Sequence, residues 1–141
     1  MSVSNDPNNK AVIVVSSRLE KGPAANRAAC LATGLVGGKP EMIGADLKTK
    51  DGQIILGFTQ IPIPILTCKP EQSLLEMADK AKSLECKVYL FLERAQGMRS
   101  YEEYKQSIAQ TNYADLDVDG IAMYGPNKAV NSVTGSLPML R

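Results

Sequence analysis

With 141 residues, 44% of them hydrophobic, the chain has the usual size of one domain and enough apolar side chains for one core. Sixteen Lys and Arg against fifteen Asp and Glu leave a net charge of +1, so a broad electrostatic nucleic-acid surface, which needs a large basic excess, is not expected. The chain has no histidine, which removes Ser-His-Asp and Cys-His nucleophile activation and nearly all usual zinc sites.

Any catalyst here would have to use carboxylates, lysine, tyrosine, cysteine or backbone dipoles, and neither a metal nor a cofactor is expected. Cys30, Cys68 and Cys86 are odd in number and form no C-x-x-C pair, which predicts three buried or half-buried small apolar residues rather than disulfides, a zinc ribbon or a thioredoxin-type site. Residues 1–10 are polar without an apolar stretch and read as a flexible leader, not a signal peptide. No apolar run approaches the ~20 residues of a membrane span. A cytoplasmic protein is expected, with one α/β domain over residues 11–141.

Residues 11–15 (AVIVV) form an uninterrupted β-branched run, the pattern of a central strand covered on both faces. After Ser16, Ser17 and Arg18, Pro23 suits the first turn of a helix, because its missing N–H would have no intrahelical partner there. Ala24, Ala25, Ala28, Ala29, Leu31, Ala32 and Leu35 then make a small-residue face, and Gly37-Gly38 predicts the helix end. Such a face can approach a sheet, or a second copy of the chain, closely. Asp51-Gly52 predicts a two-residue hairpin turn, with one strand within residues 42–48 and another over residues 54–58. Pro62 and Pro64 predict a bend or an edge before a strand at residues 65–68.

Pro70 predicts the start of a second helix carrying Leu74, Leu75, Ala78, Ala81 and Leu84 at helical spacing. Residues 87–92 (KVYLFL) read as a strand. Ser100 and Glu103 form a capping box for a third helix, on which Tyr101, Tyr104 and Ile108 are expected to make core contacts. Residues 120–124 read as a last strand stopped by Gly125-Pro126, with Asn127 capping a short helix to about Val133. Strands interleaved with helices predict a mixed four- to five-stranded sheet flanked by helices.

Two segments carry candidate site residues. Arg18 and Lys21 stand before the first helix, with Asn26 and Arg27 one turn inside it, where free N–H groups favour an anion. Lys128, Asn131, Thr134 and Ser136 surround Gly135 near the C-terminus and lack the P-loop spacing. If the second segment folds over the first, the two make a cradle for a small anionic ligand.

The strand AVIVV with Asn26, Asp51-Gly52, the pair Tyr101 and Tyr104, and above all Gly125-Pro126-x-Lys128, Val130-Asn131 and residues 134–138 (TGSLP) carry a resemblance. Across nearly its whole length the chain resembles a bacterial family known as a domain of unknown function, number two thousand in its series. That family looks like the type 2 peptidyl-tRNA hydrolases in fold. The hydrolases' G-K-x-A-A-Q-x-x-H pattern falls on residues 22–30, placing Pro23 at the lysine, Arg27 at the glutamine and Cys30 at the histidine. Their D-A-G-R-T segment falls near residues 93–97. The resemblance therefore implies the fold while predicting little or no peptidyl-tRNA hydrolysis. Three functions are carried forward. The first is a non-catalytic or weakly catalytic module binding a small anion. The second is a peptidyl-tRNA hydrolase-like esterase acting through Lys21, Arg27 or Glu93. The third is a homodimeric interaction domain built on the alanine-rich helix.

Overall fold

Residues 8–141 are described by the computed structural model; residues 1–7 of the expected leader lie outside the described residues. The β-branched run forms the middle of β1 (Asn9–Ser16), and residues 11–15 are all buried. That strand takes in Asn9 and Lys10, which the sequence reading assigned to the leader. It pairs in parallel with β4 (Ile65–Cys68) and antiparallel with β6 (Val118–Pro126). The outer side of β6 pairs antiparallel with β5 (Lys87–Leu92), giving a mixed four-stranded sheet of order β4-β1-β6-β5. As the β-branched pattern predicts, β1 is interior.

Alternation along β1 divides the core between two faces. Ala11, Ile13 and Val15 meet Ala24, Ala28, Leu31 and Leu35 of α1 (Lys21–Gly38). Val12 and Val14 meet Leu74, Ala78 and Ala81 of α2 (Leu74–Ser83), with Ala129 and Val130 of α4 (Asn127–Thr134). Full burial of each large aliphatic side chain contributes about 1.5–3 kcal/mol. The small residues of α1 therefore face this chain's own sheet, at least through Ala24 and Ala28.

Several local expectations are revised. Helix α1 ends at Gly38, as the Gly37-Gly38 pair predicts, but without a left-handed residue, and Gly34 and Gly38 make room for an aromatic ring. A Cβ on Gly34 would lie 3.0 Å from the Tyr89 ring, and one on Gly38 would overlap the Tyr89 hydroxyl. Pro70 belongs to a turn in which Gln72 N–H donates to Lys69 O, and α2 begins four residues later behind its N-cap Ser73. The cap of α4 is Pro126, so Asn127 is the first helical residue, and β6 runs through Gly125 to Pro126.

Ser100 caps α3 (Tyr101–Ala109) by accepting from Glu103 N, whereas the Glu103 carboxylate accepts from Arg99 N. That helix buries none of its residues, and Tyr101 is 81% exposed, so the expected core contact of Tyr101 does not form. Cys68 and Cys86 are buried, but Cys30 is exposed on the outer side of α1.

The hairpin at Asp51-Gly52 connects β2 (Leu47–Lys48) and β3 (Ile54–Ile55), a separate two-stranded sheet. Its loop has three residues, 50–52, with Gly52 at φ 91°. Thr49 N–H donates to Gln53 O and Gly52 N–H to Thr49 O, the pattern of a type I turn followed by a left-handed residue.

Candidate anion-binding cleft

Because β1 and β4 are parallel neighbours, their carboxyl ends lie side by side. The chain leaving β1 enters α1 on one face, and the chain leaving β4 enters α2 on the other. Adjacent parallel strands whose connections diverge in this way leave a crevice beyond their carboxyl ends, the usual place for a ligand in an open α/β sheet. A cleft of ≈ 180 Å³ occupies that position.

Ser16, Ser17 and Arg18 after β1, and Lys69, Gln72 and Ser73 after β4, supply its polar wall; Leu74, Leu75, Leu116 and Val118 supply apolar surface. Among the described residues, no acidic residue lines it. The local geometry is held by short hydrogen bonds. Arg18 N–H donates to Ser16 Oγ at 3.2 Å, Lys69 N–H donates to Gln72 Oε1 at 2.8 Å, and Ser73 Oγ accepts from Glu76 N at 3.2 Å. These bonds leave both cationic side chains exposed at the rim. Leu74 and Leu75 open α2, and the first N–H groups of a helix have no intrahelical acceptor. An anion seated here would meet two cations, several hydroxyls and a helix N-terminus.

Of the residues singled out from sequence, Arg18 alone lines this cleft. Lys21 is the exposed first residue of α1. Arg27 is 3% exposed rather than solvated, and its Nε and Nη2 both donate to Asp119 Oδ2, at 3.2 and 3.1 Å. Its guanidinium also lies 4.7 Å from the Phe91 ring centre, and Nη1 reaches Asn26 Oδ1 at 3.4 Å. Burial raises the Asp119 carboxyl above its ordinary pKa against the opposing pull of Arg27. Asp119 Oδ1 is buried with no partner among the described residues.

The expected closure of the C-terminal segment over Arg18 does not occur. Pro126 pairs with Asn9, and Asn127 N–H donates to Asn8 O, so α4 and its Lys128 begin at the amino end of β1. Arg18 lies past the carboxyl end of that eight-residue strand, roughly 25 Å away at the usual strand rise. Antiparallel pairing of β6 with β1 forces this separation. Asn131 Oδ1 accepts from Lys10 Nζ at 2.7 Å, which ties α4 to β1, and Thr134 is buried with its Oγ1 donating to Val130 O one turn back in the same helix at 2.8 Å. Ser136 is exposed, just before the tail that runs along β4 through the Leu66–Met139 bridge.

Residues 93–97 form a 3-10 turn in which Arg94 is bound on several sides. Its Nε donates to Asp117 Oδ1 at 2.7 Å, and its Nη1 donates to Thr111 Oγ1 at 2.7 Å and to Ser107 Oγ of α3 at 3.2 Å, so it ties α3 and the residues after it to the residue preceding β6. Lys69, Gln72 and Ser73 join the cleft because Pro70 does not start the helix: α2 begins at Leu74 behind Ser73. The signal was present in Ser73-x-x-Glu76, a capping-box spacing that places the helix start later and leaves residues 69–72 as a loop.

The family model described as protein of unknown function (DUF2000) matches residues 9–141. The chain belongs to the DUF2000 family. Among solved structures, it is similar to the protein of unknown function Atu0240 from Agrobacterium tumefaciens strain C58, at 18% identity. That match covers 95% of this chain and 98% of the other, with a TM-score of 0.84, and it shows a shared fold. No curated protein matches at a significant level. In this DUF2000 chain, no helix among the described residues is long and apolar enough to cross a membrane.

Proposed function

We propose that this DUF2000 protein is a binding or regulatory module that holds a small anionic ligand in the cleft at the carboxyl ends of β1 and β4. One observation carries the reading: the connections from these strands diverge to opposite faces around a cleft lined by Arg18 and Lys69 and, among the described residues, by no acid. A cleft of ≈ 180 Å³ suits a phosphate or carboxylate group with a small attached body. The mixed sheet and the order of its elements support a relation to the type 2 peptidyl-tRNA hydrolase fold as part of the same proposal. Ester hydrolysis is not part of it. Arg27, one of the groups an esterase would use, is spent on Asp119, and Pro23 and Cys30 stand at the positions of the hydrolases' lysine and histidine.

Thermal unfolding in inorganic phosphate, a nucleoside monophosphate or acetate tests the reading. A ligand at a hundredfold its Kd stabilises the folded state by about 2.7 kcal/mol, a rise of roughly 8 °C for a domain of this size. Arg18→Ala and Lys69→Ala should each abolish the rise. The absence of a rise with every anion, or a rise that survives both substitutions, refutes the cleft as the site. Hydrolysis of N-acetylated aminoacyl-tRNA at the usual enzymatic rate, on the order of 10 per second, would refute the non-catalytic assignment.

A further inference from the structure

Of the ten large apolar side chains most exposed among the described residues, six fall within residues 43–58. They are Ile43 (40% exposed), Leu47 (56%), Ile54 (59%), Ile55 (53%), Leu56 (76%) and Phe58 (74%). Leu47 and Ile55 are directly opposite each other in the ladder and share one face of the hairpin, while Ile54 lies on the other, opposite Lys48. All are more than half exposed, so neither face of the hairpin rests on the main sheet. A two-stranded hairpin is marginal in water, and an apolar one needs cover.

We infer that this hairpin is a homodimerisation arm, through which two copies of the chain associate β3 to β3. The first argument is the distribution of charge along its two edges. The β2 side carries Lys48 and Lys50, and charged side chains, lysine above all, are what guard an edge against a second strand. The β3 side, residues 53–58 (QIILGF), carries none. Thr49 N–H bonds Gln53 O, so the antiparallel alternation turns the backbone N–H and C=O of Ile54 away from β2, toward an open edge. The second argument is symmetry. An antiparallel pair of identical strands is related by a two-fold axis, so an uncharged apolar strand is complementary to its own copy without any further matching. Area supplies the third. Scaled by their exposure, the six side chains, on the two faces together, offer at most on the order of 600 Å² per copy, within reach of the ~800 Å² per partner of a standard interface. Homodimer interfaces are the more apolar, charge-poor kind, and a chain of net charge +1 sets up little repulsion against itself.

Light scattering coupled to gel filtration, and sedimentation equilibrium, read the outcome on the full chain. Wild type should have twice the 15.2 kDa chain mass. Ile54→Lys and Leu56→Lys lie at exposed positions and should each give a folded monomer, with an unchanged circular dichroism spectrum, at concentrations where wild type is dimeric. Ile54→Pro, which removes the outward N–H, should do the same. A monomeric wild type overturns the inference. So does a dimer that survives all three substitutions, which would instead place the interface elsewhere, as on the outer face of α1. The anion-induced thermal rise is read separately, and its presence or absence does not bear on the arm.

Discussion

Replacing Arg27 by methionine keeps most of the side chain's length and removes its charge from a site where the side chain is only 3% exposed. Its partner, Asp119, is 12% exposed at the side chain, and its Oδ2 loses both donors at once. Its Oδ1 already has no partner among the described residues, so the whole carboxylate would be stranded. Breaking a buried ion pair from one side costs about 3–5 kcal/mol, and loss of the cation over the Phe91 ring adds roughly 0.5–2 kcal/mol. Arg27→Met should therefore destabilise by about 4 kcal/mol at neutral pH, measured by urea unfolding with linear extrapolation.

The penalty should depend on pH with a definite sign. Burial already raises the Asp119 carboxyl above its ordinary value in the folded state, and removing Arg27 raises it further. A folded-state pKa above the unfolded one means that the native chain holds the proton more tightly. The resulting stability is fully present below the unfolded pKa and is lost as pH rises through the folded one. The cost of Arg27→Met should thus shrink in mild acid and grow toward neutrality. The double variant Arg27→Met with Asp119→Leu removes the stranded charge and should recover much of the loss, because well-packed apolar pairs often replace buried ion pairs at little cost. Three results would each refute this account: a single-variant cost below about 1 kcal/mol, a cost independent of pH, or a double variant equal to the sum of the two singles.

Further outcomes follow from particular contacts. Gly38→Ala drives a methyl into the Tyr89 hydroxyl and should cost about 1–3 kcal/mol, whereas Gly37→Ala meets nothing within 4 Å and should stabilise the helix by about 0.5–1 kcal/mol; thermal unfolding of the two variants side by side checks the contrast. Ser73→Ala loses the cap that accepts from Glu76 N and should cost about 1 kcal/mol in urea unfolding. Lys128→Ala, an exposed substitution at the far end of the sheet, should stay within about 0.5 kcal/mol of wild type and leave any anion-induced thermal rise intact.

The buried strands were legible in the sequence, because their patterns are local. An unbroken β-branched run such as residues 11–15 has no polar alternation to offer water, and residues 65–68 and 87–92 likewise became strands at the predicted bounds. The capping serine of α3 and the turn at Asp51-Gly52 were also legible, since each depends on two or three neighbouring residues. Arg27 was not. On a helix wheel it is a cation one turn inside an alanine-rich helix, and only the arrival of Asp119, ninety-two residues later, makes burial tolerable. Tyr101 misled in the opposite sense, because its helical spacing with Tyr104 says which side of α3 it shares but not whether that side has a sheet beneath it.

The position of Lys128 turned on strand direction, which nothing local encodes. A last strand antiparallel to β1 delivers α4 to the amino end of the sheet, whereas a parallel one would have delivered it to Arg18. The cleft shows the same division. Residues 16–18 and 69–73 are unremarkable loops in the chain, more than fifty residues apart. They become one site because β1 and β4 lie parallel and adjacent and their helices leave to opposite faces, a relation that exists only once the sheet has formed.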